Sequence, residues 1–102
     1  MARRLQLHEK LCEILGSRNV YFQPPESIKL IYDCIIYKTK NRNDLMADDA
    51  RYRGLVEYEV MFISRDPDSE IPERLMESFN YISSSRTFTV DNLHHELFIL
   101  YY

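Results

Sequence analysis

From Leu55 to Ile63 the chain alternates with a period of two. Val56, Tyr58, Val60 and Phe62 fall on one side, and Leu55, Glu57, Glu59, Met61 and Ile63 on the other. That period belongs to a strand, whose successive side chains point to opposite faces. Directly behind it, Arg65-Asp66-Pro67-Asp68-Ser69 is turn chemistry, and Ile71, Leu75 and Phe79 return at helical spacing. A strand that stops, turns and feeds a short helix able to fold back over it is therefore the organising unit. The rest of the chain reads as further strands beside it plus an N-terminal helix.

Residues 3–15 form that helix in the sequence pattern. Leu7, Leu11, Ile14 and Leu15 make one stripe, Leu5 and Cys12 sit at its edge, and Glu9, Lys10 and Glu13 take the opposite face. Gly16 is placed to cap its C-terminus, and His8 is a boundary histidine beside the stripe. Asn19–Phe22 is a short strand ended by Pro24-Pro25, which cannot donate to a ladder. Residues 28–39 read as a second strand, apolar on both faces and so interior to the sheet, with Asp33 marking a bend, a strand end or a basic partner. Residues 81–90 and 94–102 are the last two strands, joined at Asp91-Asn92, a turn that lacks the glycine of the strongest hairpin signal. The run Leu97-Phe98-Ile99-Leu100-Tyr101-Tyr102 is apolar on both faces, which calls for a central sheet position, a neighbouring subunit, or both. The expected fold is α+β: one domain over residues 1–102, a small sheet of about five strands, mainly antiparallel or mixed, with the N-terminal helix and a second short helix packed on it.

Composition narrows the function. A chain of 102 residues with 45% apolar residues suits one core. A net charge of −3 argues against a nucleic-acid binder. No apolar run is long enough to cross a membrane and none reads as a signal peptide. Cys12 and Cys34 belong to a helix and a strand with no disulfide framework, so both are expected buried and reduced, in keeping with intracellular folding. Two glycines leave little room for phosphate-cradling loops, whereas eight tyrosines and five phenylalanines suit sheet and wide interfaces.

Catalytic and metal-binding patterns are weak. Asp66-x-Asp68-x-Glu70 resembles the start of a calcium loop but has Ile71 where the loop needs glycine. Asp68 or Ser69 as a helix cap, with Glu70 at the helix's positive end and Pro72 in its first turn, is the stronger reading. His94 and His95 are adjacent on a strand and so face opposite ways, out of reach of one ion. Ser83-Ser84-Ser85 lies on a strand without a nucleophile elbow, and no acid, base and nucleophile group together. No catalytic, cofactor or metal residue is assigned, and no enzyme is expected. The polar stretch 40–51 is long for a connection, with an acidic middle at Asp44, Asp48 and Asp49 and with Arg51 at its end, and reads as a contact loop or a solvated one.

Several blocks together carry a resemblance: Asn19-Val20-Tyr21-Phe22-Gln23-Pro24-Pro25, Tyr32-x-Cys34-Ile35-Ile36-Tyr37, Ala47-Asp48-Asp49, Arg65-Asp66-Pro67-Asp68-Ser69-Glu70-Ile71-Pro72 and Asp91-Asn92-Leu93-x-His95. From Leu7 onward the chain resembles the tail completion, or tail terminator, proteins of tailed bacteriophages. The resemblance implies a small α/β structural protein of the virion neck, assembled in the host bacterial cytoplasm. It implies a homo-oligomeric ring, usually a hexamer, at the head-proximal end of the tail tube. Such a ring stops tube growth, contacts the tail tube protein and the head-completion or connector protein, and lets DNA pass through its lumen without specific binding. The family has no catalytic residues to carry over. Residues 77–85 depart from its usual form. Inter-subunit or connector contacts are expected at Asp44, Asp48, Asp49, Arg51, Tyr101 and Tyr102. The alternative is a small soluble adaptor or regulatory domain that binds a peptide or metabolite through its sheet.

Overall fold

A computed structural model describes residues 2–41 and 54–102. The elements run α1 (Ala2–Leu15), β1 (Val20–Phe22), β2 (Cys34–Asn41), β3 (Glu57–Ser64), α2 (Ile71–Ser78), β4 (Ile82–Val90) and β5 (Leu93–Tyr101). The five strands form one sheet in the order β1-β2-β3-β5-β4. β1 runs parallel to β2, and every other pair is antiparallel. This is the α+β architecture the sequence pattern implies, with β5 in a central place.

Both helices cover the same face. Leu7, Leu11, Cys12 and Ile14 of α1 and Leu75 of α2 pack with Ile35, Tyr37, Tyr58, Val60, Phe62, Phe98 and Leu100 of the sheet. The register explains the set: Ile35 lies opposite Phe62, Tyr37 opposite Val60, Val60 opposite Phe98 and Tyr58 opposite Leu100, so these side chains share one face. Fully burying an aliphatic or aromatic side chain contributes about 1.5–3 kcal/mol, and this single cluster supplies most of the driving force for folding.

Local chemistry ends each element. The amide of Gly16 donates to the carbonyl of Cys12 at 2.9 Å with φ +82°, closing α1 in a left-handed cap that a side chain would strain. Asp91 and Asn92 both take positive φ, 53° and 63°, and Val90 pairs with Leu93. The β4–β5 connection is thus a two-residue turn with both central residues left-handed, a conformation asparagine and aspartate tolerate without glycine. At α2 the cap position is Glu70, whose side chain makes no cap bond. The Ser69 hydroxyl instead accepts the Ile71 amide at 3.2 Å, and the Asp66 carboxylate accepts the Asp68 amide at 2.9 Å.

One element differs from expectation. Residues 28–33 alternate like a strand yet join no ladder, and β2 starts only at Cys34. In register, β1 begins beside Ile35 and β3 ends beside residue 33, where the Arg65–Ser69 turn takes over, so no partner strand extends alongside them. The stretch is held by other bonds. The amide of Ile28 donates to the Pro25 carbonyl at 3.1 Å, and the amide of Ile31 to the Tyr21 hydroxyl at 3.4 Å. Asp33 marks the start of β2, where its carboxylate accepts the Arg65 amide at 3.3 Å.

Candidate interaction surface

The face of the sheet away from the helices has no secondary-structure cover among the described residues. Odd-numbered residues of β3 and β5 and even-numbered residues of β2 point to it. Ile36 lies opposite Met61 and Met61 opposite Leu97; Lys38 lies opposite Glu59 and Glu59 opposite Ile99; Glu57 lies opposite Tyr101. Ile36, Met61, Leu97, Ile99 and Tyr101 are all half-buried, partly open to solvent. They make a contiguous apolar strip across three strands.

The strip has distinct ends. At one, Lys38 approaches Glu59 at 3.7 Å and Lys40 approaches Glu57 at 3.6 Å. At the other, His95 stacks on Phe88 at 4.6 Å between ring centres, with the Arg86 guanidinium 5.2 Å from the Phe88 ring. The strip thus runs across Ile36, Met61 and Leu97 and along β5 to Ile99 and Tyr101, with the paired charges of Glu59 and Glu57 at its flank on β3. His94, on the opposite face, reaches Thr89 at 3.3 Å, so the two histidines do diverge. Among the described residues no three His, Cys, Asp or Glu side chains are grouped to hold a metal ion.

Beside the strip runs the segment Pro24–Asp33. Pro24, Pro25, Ile28 and Leu30 face Ile36 and Lys38 across a groove of about 610 Å³. Ile28 and Ile31 project from this arm, and Ile31, at 61% exposure, is the most exposed large apolar side chain among the described residues. The sequence pattern assigned these residues to a strand and so concealed the arm.

A second cleft, about 400 Å³, opens on the helix-bearing face where the β3–α2 turn overhangs β5 and β4. Phe62, Pro67 and Pro72 supply its apolar wall; Asp66, Glu96, His94 and hydroxyls of Ser64, Ser69, Thr87 and Thr89 supply polar groups. Glu96 accepts from the Ser84 hydroxyl at 2.9 Å. Nothing in the sequence links Asp66 to Glu96; the register that sets Phe62 opposite Glu96 does.

The expected contact residues divide. Asp44, Asp48, Asp49 and Arg51 lie outside the described residues. Tyr101 and Tyr102 separate onto the two faces. Tyr101 joins the open strip, whereas Tyr102 packs against the core, edge-on to Phe79 with ring centres 5.8 Å apart, and its backbone pairs with Val56. Phe98 and Leu100 have no exposed surface.

The buried titratable groups have structural surroundings. Burial, with the Asp33 charge nearby, pushes the Cys34 thiol up to about 11, and burial raises Cys12 as well. Both cysteines are free. His8 Nδ1 lies 2.8 Å from the hydroxyl of buried Tyr37, and partial burial lowers the His8 pKa. Neither thiol has the depressed pKa of a nucleophile. No helix among the described residues is long and apolar enough to cross a membrane. No family model matches this chain, and neither a curated protein nor a solved structure matches it.

Proposed function

We propose that the chain is a structural subunit that assembles with copies of itself into a closed ring, of the kind that terminates a phage tail tube. The observation that carries the reading is the open apolar strip of Ile36, Met61, Leu97, Ile99 and Tyr101 in a domain whose helices both lie on the other face. A neighbouring copy is the simplest cover for it, and closed symmetry is the usual outcome of self-association. The sequence blocks from Asn19 to Pro25 and from Arg65 to Pro72 add the resemblance to tail terminators, and with it six copies, a place at the neck of the virion, contacts to the tail tube and connector proteins, and passage of DNA without specific binding. A net charge of −3 fits a lumen to which DNA does not adhere.

Ile99→Glu tests the reading. The variant gives up a half-buried side chain and sets a second carboxylate opposite Glu59, so it should stay folded with a Tm lower by about 5–10 °C, yet fail to assemble in sedimentation well below that Tm and fail to join tails to heads. Electron microscopy of tails bearing the wild-type subunit should show one ring at one end. Subunits spread along the tube, or full assembly by Ile99→Glu, would overturn it. The groove between the arm and Ile36 supports a second reading, an adaptor that takes a short extended peptide. A chain that remains monomeric while it binds peptide would favour that alternative.

A further inference from the structure

We infer that the arm around Lys29 of one copy seats in the Asp66–Glu96 cleft of the next, so that the contact between subunits is head-to-tail. The inference rests on the ring reading and names the surfaces that meet. Charge carries it first. Of the lysine and arginine side chains described, only Lys29 and Arg65 have no carboxylate, ring or hydroxyl partner, and Arg65 belongs to the cleft's own turn. Asp66 and Glu96 line the cleft, accept one amide and one hydroxyl respectively, and pair with no cation among the described residues. No lysine or arginine lines the cleft among the described residues.

Shape and polarity agree. Lys29 lies two residues before Ile31, the most exposed large apolar side chain among the described residues, and the cleft sets Phe62, Pro67 and Pro72 beside its carboxylates. A short segment that carries an ammonium and an exposed apolar side chain therefore meets carboxylates beside apolar walls. No residue of the arm lines its own cleft. The arm lies along the open face beside β2, held at Gln23, whose amide donates to the Tyr37 carbonyl at 2.9 Å, and at Asp33, whose carboxylate accepts the Arg65 amide of the turn that borders the cleft. The cleft lies on the other face over β5 and β4, with β3 between. The arm and the cleft are two different surfaces of one molecule, and a contact between unlike surfaces is heterologous, which closes into a ring or runs on as a filament. The arm is also continuous with the open strip through Ile36, so one side of the subunit presents both.

The test is charge reversal with rescue. Lys29→Glu and Glu96→Lys should each raise the concentration for half-assembly by about tenfold or more, since each sets like charges against one another across a contact. The double reversal Lys29→Glu/Glu96→Lys should return it to within about threefold of wild type, the signature of direct coupling. Asp66→Lys, at an exposed turn position, repeats the test should Glu96→Lys melt early. In unmodified chain at millimolar concentration, carbodiimide should join Lys29 to Glu96 or Asp66, and a mixture of isotopically light and heavy subunits should show that the two residues come from different copies. Assembly that survives both single reversals but is lost in Ile99→Glu would overturn the arm–cleft contact and leave the ring standing. Wild-type chain that stays monomeric and yields no such cross-link would overturn both.

Discussion

Two neighbours on β5 should respond in opposite ways to the same truncation. Phe98 points into the core with no exposed surface, opposite Val60, whereas Ile99 points to the open strip and is half-buried. Removing a core phenylalanine ring costs about 3–5 kcal/mol, a large part of the roughly 5–15 kcal/mol that holds a domain folded. At roughly 5 °C per kcal/mol for a domain of this size, Phe98→Ala should lose about 15–25 °C of Tm. Half-burial of an aliphatic side chain contributes on the order of 1 kcal/mol, so Ile99→Ala should lose roughly 5 °C. Urea and thermal melts followed by far-UV circular dichroism, at a dilution where the chain sediments as a monomer, give both values. Phe98→Leu serves where the alanine variant does not fold. The assembly midpoint should move the other way, shifting more for Ile99→Ala than for Phe98→Leu. Equal losses of stability at the two positions, with no separate effect on assembly, would show that β5 is buried alike on both faces and would refute the division of the sheet.

Stability should also fall with pH through His8. Its pKa is below the ordinary value in the folded chain, chiefly through burial, so the neutral ring is favoured by folding; the contribution is present above about pH 6.5 and is lost as pH drops toward the folded pKa. His8→Gln should therefore flatten the dependence of urea midpoints between pH 7 and pH 5 by comparison with wild type (about the range where a histidine titrates). Cys12 and Cys34, both buried with raised thiols, should resist a disulfide reagent in native protein and react only on unfolding; rapid native labelling would contradict their burial. Asn92→Ala should cost about 1 kcal/mol because residue 92 holds a left-handed conformation, with Asn92→Gly close to wild type in the same melts.

Local pattern reached some elements and not others, for identifiable reasons. The central place of β5 was legible because an apolar residue at every position from Leu97 onward cannot suit an edge. The helices were legible from their stripes, and the turn at Asp91-Asn92 from residues that accept positive φ. Alternation failed at 28–33 because it records where side chains point, not whether a backbone partner exists. β1 starts only beside Ile35 and β3 ends at Ser64, which leaves that stretch without one. The parallel pairing of β1 with β2 and the strand order likewise depend on contacts between distant residues, which no periodicity encodes. The strip was half visible: the apolar residues of β5 announced a second face, but only the register assembles Ile36 and Met61 beside them.

The margins of the sheet explain why assembly should run through a face and an arm rather than by adding strands. An unguarded edge templates pairing with another chain. Here β1 exposes an edge of only three residues, Pro24-Pro25 follow, and the Gln23 carboxamide oxygen accepts the Thr39 amide of β2 at 3.3 Å just beyond the last β1 residue. At the far margin β4 is nine residues long, but an extra residue, Ser85, interrupts its register between Ser84 and Arg86. Such a bulge twists the strand and breaks the even row of amides and carbonyls that a second strand would need, and Arg86 adds a charge beside it. Both margins are thereby poor templates. Among the described residues, the apolar strip, the arm with Lys29 and the cleft of Asp66 and Glu96 are left open, and they are unlike surfaces, as a head-to-tail ring requires.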